Sequence, residues 1–202
     1  MRIDVVLPKG NESEFYQQAL SLGYEGLVLL YPIERLKGLK LPKPPQNLKV
    51  TPAGLIDAKR ISRRAPKKLL TFIEGGKRHE FEKICPNVIF NLEQSKKPDK
   101  THYRSSGLDD VLCRIAHKAG IIVGFGLNRI LNSAIPRHVV LGRIMQNIRF
   151  CRRFDVEMLL GSFANQPLGM RSAHDMIAFG MSLGMSSIEA KQSIEVLTRF
   201  FI

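Results

Sequence analysis

The feature that most constrains this chain is a series of short apolar runs, several without a single charge. Residues 26–30, 69–73, 88–91 and 121–125 are the clearest. Each is too short for an amphipathic helix and too uniformly apolar for a strand with one wet face. Runs of this kind suit strands covered on both sides, as in a parallel sheet. Helical patterns lie between them. The stretch from His102 to Phe125 shows the unit in full: a basic loop, an apolar stripe of Leu108, Val111, Leu112, Ile115 and Ala116, then Gly120, then an uncharged run. The stripe has helical spacing. Ser106 and Asp109 have the spacing of a capping box, which predicts the helix start at Ser106, and Gly120 suits a left-handed helix end.

Further units extend this pattern. Residues 3–7 predict a first strand. A helix capped at Asn11 or Ser13 follows, carrying Phe15, Ala19, Leu20 and Leu22 and ending at Gly23. Residues 31–46, with four prolines, predict an extended segment. A third strand falls within residues 48–57, where Pro52 implies a bulge or a sheet edge. A short helix is expected at residues 77–84 after the Gly75-Gly76 turn. Residues 137–154 predict a long helix with Val140, Leu141, Ile144, Met145, Ile148 and Cys151 on one face, and Arg143, Arg149 and Arg153 away from it. Residues 156–160 give another strand. Ser172 with Asp175, and Ser186 with Glu189, open two further helices, and residues 200–202 are read as an eighth strand. About eight strands alternating with helices predict one (β/α)8, TIM-barrel-like domain over residues 1–202, compact and irregular because such barrels usually need roughly 250 residues. A doubly wound open sheet competes, but its early glycine-rich fingerprint is missing.

Charge narrows the function. Lys plus Arg number 31 against 18 acidic residues, a net +13, so a polyanionic partner is expected, with RNA ahead of DNA or membrane. A merely solvated basic surface is the plainer alternative. No apolar run approaches membrane-spanning length, the first residues lack a signal-peptide pattern, and Cys85, Cys113 and Cys151 are spaced like free buried thiols. These point to a cytoplasmic protein with no membrane partner. The five histidines form no metal-ligand spacing, and His117 reads as a half-buried structural residue. No metal or cofactor is expected in the chain.

In a barrel, the loops after the strand C-termini hold the functional groups. Here they supply Lys96, Lys97, Arg104, Arg129 and Arg171. Glu74 and Glu93 are the acid–base candidates, with pairing to Lys77 and Lys96 as the plainer reading. Residues 59–68 carry six cations in ten positions and are a further phosphate candidate. Arg152 and Arg153 end the long helix, where they either meet its dipole or contact phosphate.

The run Arg104-Ser-Ser-Gly-Leu-Asp-Asp-Val-Leu-Cys-Arg-Ile-Ala116, with Ile122 to Phe125 after it, resembles the signature of the ribonuclease P protein component 3 family, archaeal relatives of the eukaryotic thirty-kilodalton subunit. Met145 to Phe154, Leu159 to Ala164, Met170 to Ile177, Gly184-Met185 and Glu189-Ala190-Lys191 continue the resemblance. The resemblance implies a TIM-barrel-like fold distantly related to the polymerase and histidinol phosphatase superfamily. That superfamily's first strand carries DxHxH; here it reads Asp4-Val5-Val6-Leu7. It also implies a subunit of the ribonucleoprotein that removes the 5′ leader from precursor tRNA. Its RNA subunit catalyses with Mg²⁺, and a second protein, component 2, is a partner. Matching basic positions are Arg171, Lys118 and Lys191, with Arg104 and Arg153 at or beside such positions. With Lys96, Lys97 and Arg152 they form the expected RNA-binding set. The short chain favours an archaeal source. The rival expectation is a stand-alone metal-dependent phosphoesterase using Asp4, Glu74 and Glu93.

Overall fold

The computed structural model describes residues 1–58, 64–66 and 68–201. Seven parallel strands form one sheet in sequence order: β1 (Ile3–Val6), β2 (Gly26–Pro32), β3 (Lys49–Leu55), β4 (Thr71–Glu74), β5 (Val88–Phe90), β6 (Ile122–Gly126) and β7 (Met158–Gly161). The sheet curls until β1 meets β7. Leu7 N–H donates to the Ala164 carbonyl (2.8 Å), and the Ser162 N–H donates to Asp4 Oδ1 (2.6 Å). The result is a nearly closed TIM-barrel-like cylinder of seven strands. Around it lie α1 (Glu12–Ser21), α2 (Asp110–Ala119), α3 (Leu127–Leu131), α4 (Arg137–Arg153), α5 (Ala173–Ser182) and α6 (Ser187–Glu195).

The expected eighth strand is not formed. Val196–Phe200 is a 3-10 turn, and Ile202 lies outside the described residues. The physical reason is the barrel interior. Strand alternation sends Ile3, Val5, Val28, Leu30, Phe72, Val88, Phe90, Ile122 and Leu159 inward, where they cluster with Leu197; Phe200 and Phe201 pack against that cluster. The C-terminal apolar residues therefore plug the N-terminal end of the barrel instead of adding to its wall.

The opposite end is plugged as well. Phe163 is buried, stacks on Phe90 (centroids 4.4 Å apart) and meets Phe72 edge-on (6.3 Å). Its backbone is left-handed, φ +48. Such a conformation costs a non-glycine residue about 1–3 kcal/mol, and burying a phenylalanine offsets roughly that amount. Gly126 makes the ring's position possible: a Cβ there would lie 3.1 Å from the Phe163 ring.

Pro52 sits in an interior strand, contrary to the edge expectation. β3 pairs with β2 along its whole length, but with β4 only from Gly54 onward. Lys49 donates toward β2 and Gly54 toward β4, so alternation directs the missing Pro52 N–H to the β4 side, before that pairing begins.

Capping is partly as expected. Ser172 and Ser186 cap α5 and α6, and the Ser186–Glu189 box is complete. α2 begins later than predicted: its cap is Asp109, whose carboxylate accepts from Leu112 N–H (2.8 Å). Val111 of the predicted stripe is exposed, and Cys113 takes its place in the core. On α4 the buried face is Val140, Arg143, Ile144, Asn147, Ile148 and Cys151. Met145 is exposed, while Arg143 and Asn147 are not. The short helix expected at residues 77–84 forms, as a π-helix over Glu80–Ile84, while residues 31–46, expected to be extended, contain a 3-10 turn at Ile33–Leu36. Among the described residues no helix is long and apolar enough to cross a membrane.

Cys113 and Cys151 are buried and Cys85 half-buried, all as free thiols. Burial pushes the Cys113 thiol up to about 12 and raises Cys151 well above the ordinary thiol value. Iodoacetamide is expected to modify Cys85 in the folded protein and to reach Cys113 and Cys151 only after unfolding. Peptide mass spectrometry checks this order.

Candidate nucleic-acid interface

Because all strands are parallel, every loop that leaves a strand C-terminus opens on one end of the barrel. The largest such loop follows β5. Residues 95–107 contain no helix or strand, yet the loop is pinned by one side chain. Arg143 of α4 is 2% exposed. Its Nε donates to Asp99 Oδ1 (2.8 Å), Nη1 to the carbonyls of Glu93 (2.9 Å) and Ser95 (2.6 Å), and Nη2 to the Lys97 carbonyl (2.6 Å). A planar five-donor fork suits this task and a lysine does not. Asp99 passes the anchoring on by accepting from Ser105 N–H (2.9 Å). Desolvation works against its charge, but the Arg143 and Ser105 hydrogen bonds win and hold it below the usual carboxylate range.

The far side of the loop docks on α4. The Gln146 amide accepts from Arg104 N–H (3.0 Å) and donates to the Arg104 carbonyl (3.0 Å) and Ser106 Oγ (2.8 Å); Asn147 donates to the Ser106 carbonyl (3.0 Å). Ser106 is thus buried in this junction, which is why it does not cap α2. Gly107, at φ +80, lies so close to the Leu92 carbonyl that any Cβ would collide with it. The Arg104 guanidinium rests over Gly142, where a side chain would meet it at 2.7 Å, and its Nη1 lies 3.5 Å from Asp99.

The expected RNA-binding residues divide between two ends of the barrel. Lys96, Lys97 and Arg104 lie in loops on the strand C-terminal end. Arg171 does not join them: its carbonyl accepts from the Tyr24 hydroxyl (3.0 Å), and the Ala173 N–H donates to the Leu22 carbonyl (3.3 Å) at the C-terminus of α1, on the side where β2 begins. Lys118, Arg152 and Arg153 lie at the C-termini of α2 and α4, which return the chain to the other end, and Lys191 lies on α6 beside them. Arg171 is exposed, with Nη1 turned back to the Leu168 (3.0 Å) and Met170 (2.7 Å) carbonyls. Arg152 is committed to structure. It forks onto Glu189 (2.8 and 2.6 Å) and reaches the Gly184 carbonyl (2.7 Å), joining α4 to the α6 cap. That fork holds the Glu189 carboxyl down to about 2. Arg153 lies over the Phe154 ring, 5.3 Å from its centroid. Among the described residues, Lys96 and Lys97 pair with no carboxylate. Of the basic run at 59–68, residues 59–63 and 67 lie outside the described residues.

The carboxylates expected of a barrel enzyme are dispersed. Asp4 alternates with inward-facing Ile3 and Val5, so it faces outward at the β1–β7 seam, where Oδ1 accepts from Val5 N–H (2.8 Å) and Ser162 N–H. Burial pushes it up to about 6. Glu74 pairs with Arg129 (2.6 Å) and accepts from Asn91 (3.2 Å), not with Lys77. Glu93 is fully buried, neither carboxylate oxygen has a hydrogen-bond partner among the described residues, and desolvation pushes it up to about 7. It does not pair with Lys96. Among the described residues no group of three or more His, Cys, Asp or Glu side chains is arranged around a common metal position. His117 is more exposed than expected, with Nδ1 2.8 Å from the Asp155 carbonyl.

The fold and the site together define a TIM-barrel-like protein whose two ends are filled by apolar side chains and whose rim carries an anchored basic loop. The sequence pattern of the RNase P subunit p30 family matches residues 98–200, just over half of the chain. The chain belongs to that family. It is 27% identical to ribonuclease P protein component 3 of Methanothermobacter thermautotrophicus over 192 residues, which cover 88% of this chain and 77% of that one. It is 32% identical to the component 3 protein of Methanosarcina acetivorans over 95 residues, covering 46% of this chain and 40% of the relative's length. In fold it is similar to a chain of the solved archaeal ribonuclease P with mature tRNA, at TM-score 0.67, 17% identity, and coverage of 98% and 89%. A. niger ochratoxinase shares the fold at TM-score 0.53 and 11% identity, covering 95% of this chain and 69% of that one.

Proposed function

We propose that this chain is a non-catalytic, RNA-binding subunit of an archaeal ribonuclease P, the ribonucleoprotein that trims the 5′ leader from precursor tRNA in the cytoplasm. Catalysis belongs in this reading to the RNA subunit and the Mg²⁺ it holds, and the chain needs no cofactor of its own. Its protein partner is component 2. One observation carries the reading: the face where a barrel keeps its chemistry presents Lys96, Lys97 and Arg104 on a loop fixed by a buried arginine, while Asp4 and Glu74 are engaged in structural bonds and Glu93 is sealed from solvent. A polyanion is the ligand that such a face can hold. Lys118, Arg153 and Lys191 at the opposite end supply a second, separate set of phosphate contacts.

Binding of the purified chain to the RNA subunit is expected to weaken steeply with salt, with a log–log slope of about −0.7 per phosphate contact if the RNA is single-stranded there. Neutralising Lys96, Lys97 and Arg104 together then lowers the slope by about 2 and reduces precursor-tRNA cleavage by the reconstituted holoenzyme at low Mg²⁺. An unchanged slope together with unchanged cleavage would rule this reading out.

A further inference from the structure

A groove of about 710 Å³ opens beside the anchored loop, between the segment after β4, the segment after β5 and residues 103–109. Its size is in the range of small-ligand sites. Lys77, Lys97, Tyr103 and Arg104 line it. Glu74 and Asp109 also line it, but the first pairs with Arg129 and the second caps α2. Lys77 and Lys97 pair with no carboxylate among the described residues.

Tyr103 is the informative residue. The chain has four tyrosines. Tyr16, Tyr24 and Tyr31 are buried, and their hydroxyls donate to the Pro42 carbonyl, the Arg171 carbonyl and Glu12. Tyr103 is 53% exposed, and its hydroxyl bonds to no described residue. Its ring is held at the groove by a turn in which Lys100 N–H donates to the Tyr103 carbonyl (2.9 Å), and the Lys100 ammonium lies 5.4 Å from the ring centroid. The flanking residue, Arg104, is clamped by Gln146. The apolar ring is thus displayed to solvent on a backbone that the buried Arg143 has already ordered. A display of this kind lowers the entropic cost of binding a planar partner.

We propose that this groove takes an unpaired nucleotide of the RNA, its base stacked on Tyr103 and its phosphate held by Lys97 and Arg104. The proposal rests on the RNA-binding reading above and adds the chemical form recognised. An exposed aromatic beside cations is how proteins hold single strands, whose bases are free to stack; a duplex keeps its bases stacked on one another.

The test compares a short unstructured RNA with the same RNA annealed to its complement, each titrated with the full chain at one salt concentration. Tyr103→Ala is expected to weaken single-strand binding by roughly 5- to 100-fold and to leave duplex binding unchanged. Tyr103→Phe is expected to bind both like the parent, and circular dichroism should show all variants equally folded. Equal weakening toward both RNAs, or Tyr103→Phe as weak as Tyr103→Ala, overturns the stacking assignment. If Tyr103→Ala changes nothing while binding stays steeply salt-dependent, the groove proposal falls and the RNA-binding reading stands. If neither RNA binds in a salt-dependent way, the underlying reading falls with it.

Discussion

Replacing Arg143 by alanine is expected to destabilise the protein by about 3–5 kcal/mol, more than any exposed charge change. The side chain is buried and makes four hydrogen bonds to the β5–α2 loop. Its removal strands the carbonyls of Glu93, Ser95 and Lys97, leaves Asp99 with only the longer Arg104 contact, and takes from the buried Glu93 its nearby positive charge. Breaking a buried charge contact by removing one partner costs in this range, because the desolvated groups left behind cannot recover water. Arg143→Lys should recover only part of the loss, since one ammonium cannot span the positions the guanidinium fork reaches. Urea unfolding measures the difference. Hydrogen exchange across residues 95–105 should show the loop losing protection in either variant. A loss under about 1 kcal/mol would mean that the loop is held by its other contacts.

The second large effect concerns pH. Asp4 and Glu93 are raised in the folded state, to about 6 and about 7, from ordinary values of 3.8 and 4.5. The native state therefore binds these protons more tightly than the unfolded chain does. Their stabilising contribution is complete below about pH 4 and disappears as pH rises through 6 and 7. Each is worth at most about 3 kcal/mol across that window, at 1.36 kcal/mol per unit. Glu189, held down to about 2, acts in the opposite direction: its contribution is present above the ordinary glutamate value and is lost as pH falls. Stability should therefore peak on the mildly acidic side and decline toward pH 8. In Glu93→Gln the decline between pH 5 and 8 should be visibly shallower, and the variant should gain on the parent as pH rises. Parallel stability–pH curves for the two proteins would contradict the burial argument.

The parts of the fold written in local pattern were legible. Uncharged runs gave the strands, and serines at the right spacing gave the caps of α5 and α6, because those signals need only neighbours. The misreadings share a cause. Residues 200–202 look like a strand because apolar residues fill a barrel as readily as they build its wall, and only the closed seam distinguishes the two. Ser106 was an acceptable cap until Gln146, 40 residues away, took it. Arg143 sat on a helix flank that looked solvent-facing; its partners are 44 to 50 residues distant and form no sequence pattern. The candidate site was half legible. Strand–loop order put Lys96, Lys97 and Arg104 on one face; it put Arg171 there too, but the long segment after β7 carries that residue along α1 to the Leu22–Tyr24 turn. The helix-borne cations went to the other end, because each crossover helix carries its C-terminus back to where the next strand begins. Tyr103 could have been found: a lone aromatic within a polar, basic loop is a weak but readable signal.

The seam has a consequence for how the chain must assemble. β1 finds β2 almost as soon as both exist, but its other edge waits for β7, and the Asp4–Ser162 bond joins residues 158 positions apart. At a synthesis rate of roughly 5–20 residues per second, that edge stays open for about 10–30 s on a nascent chain. An open strand edge is a template for wrong pairing. A buried carboxylate on β1 is an obstacle to any neighbour that cannot donate to it, so Asp4 would favour the one partner whose backbone can.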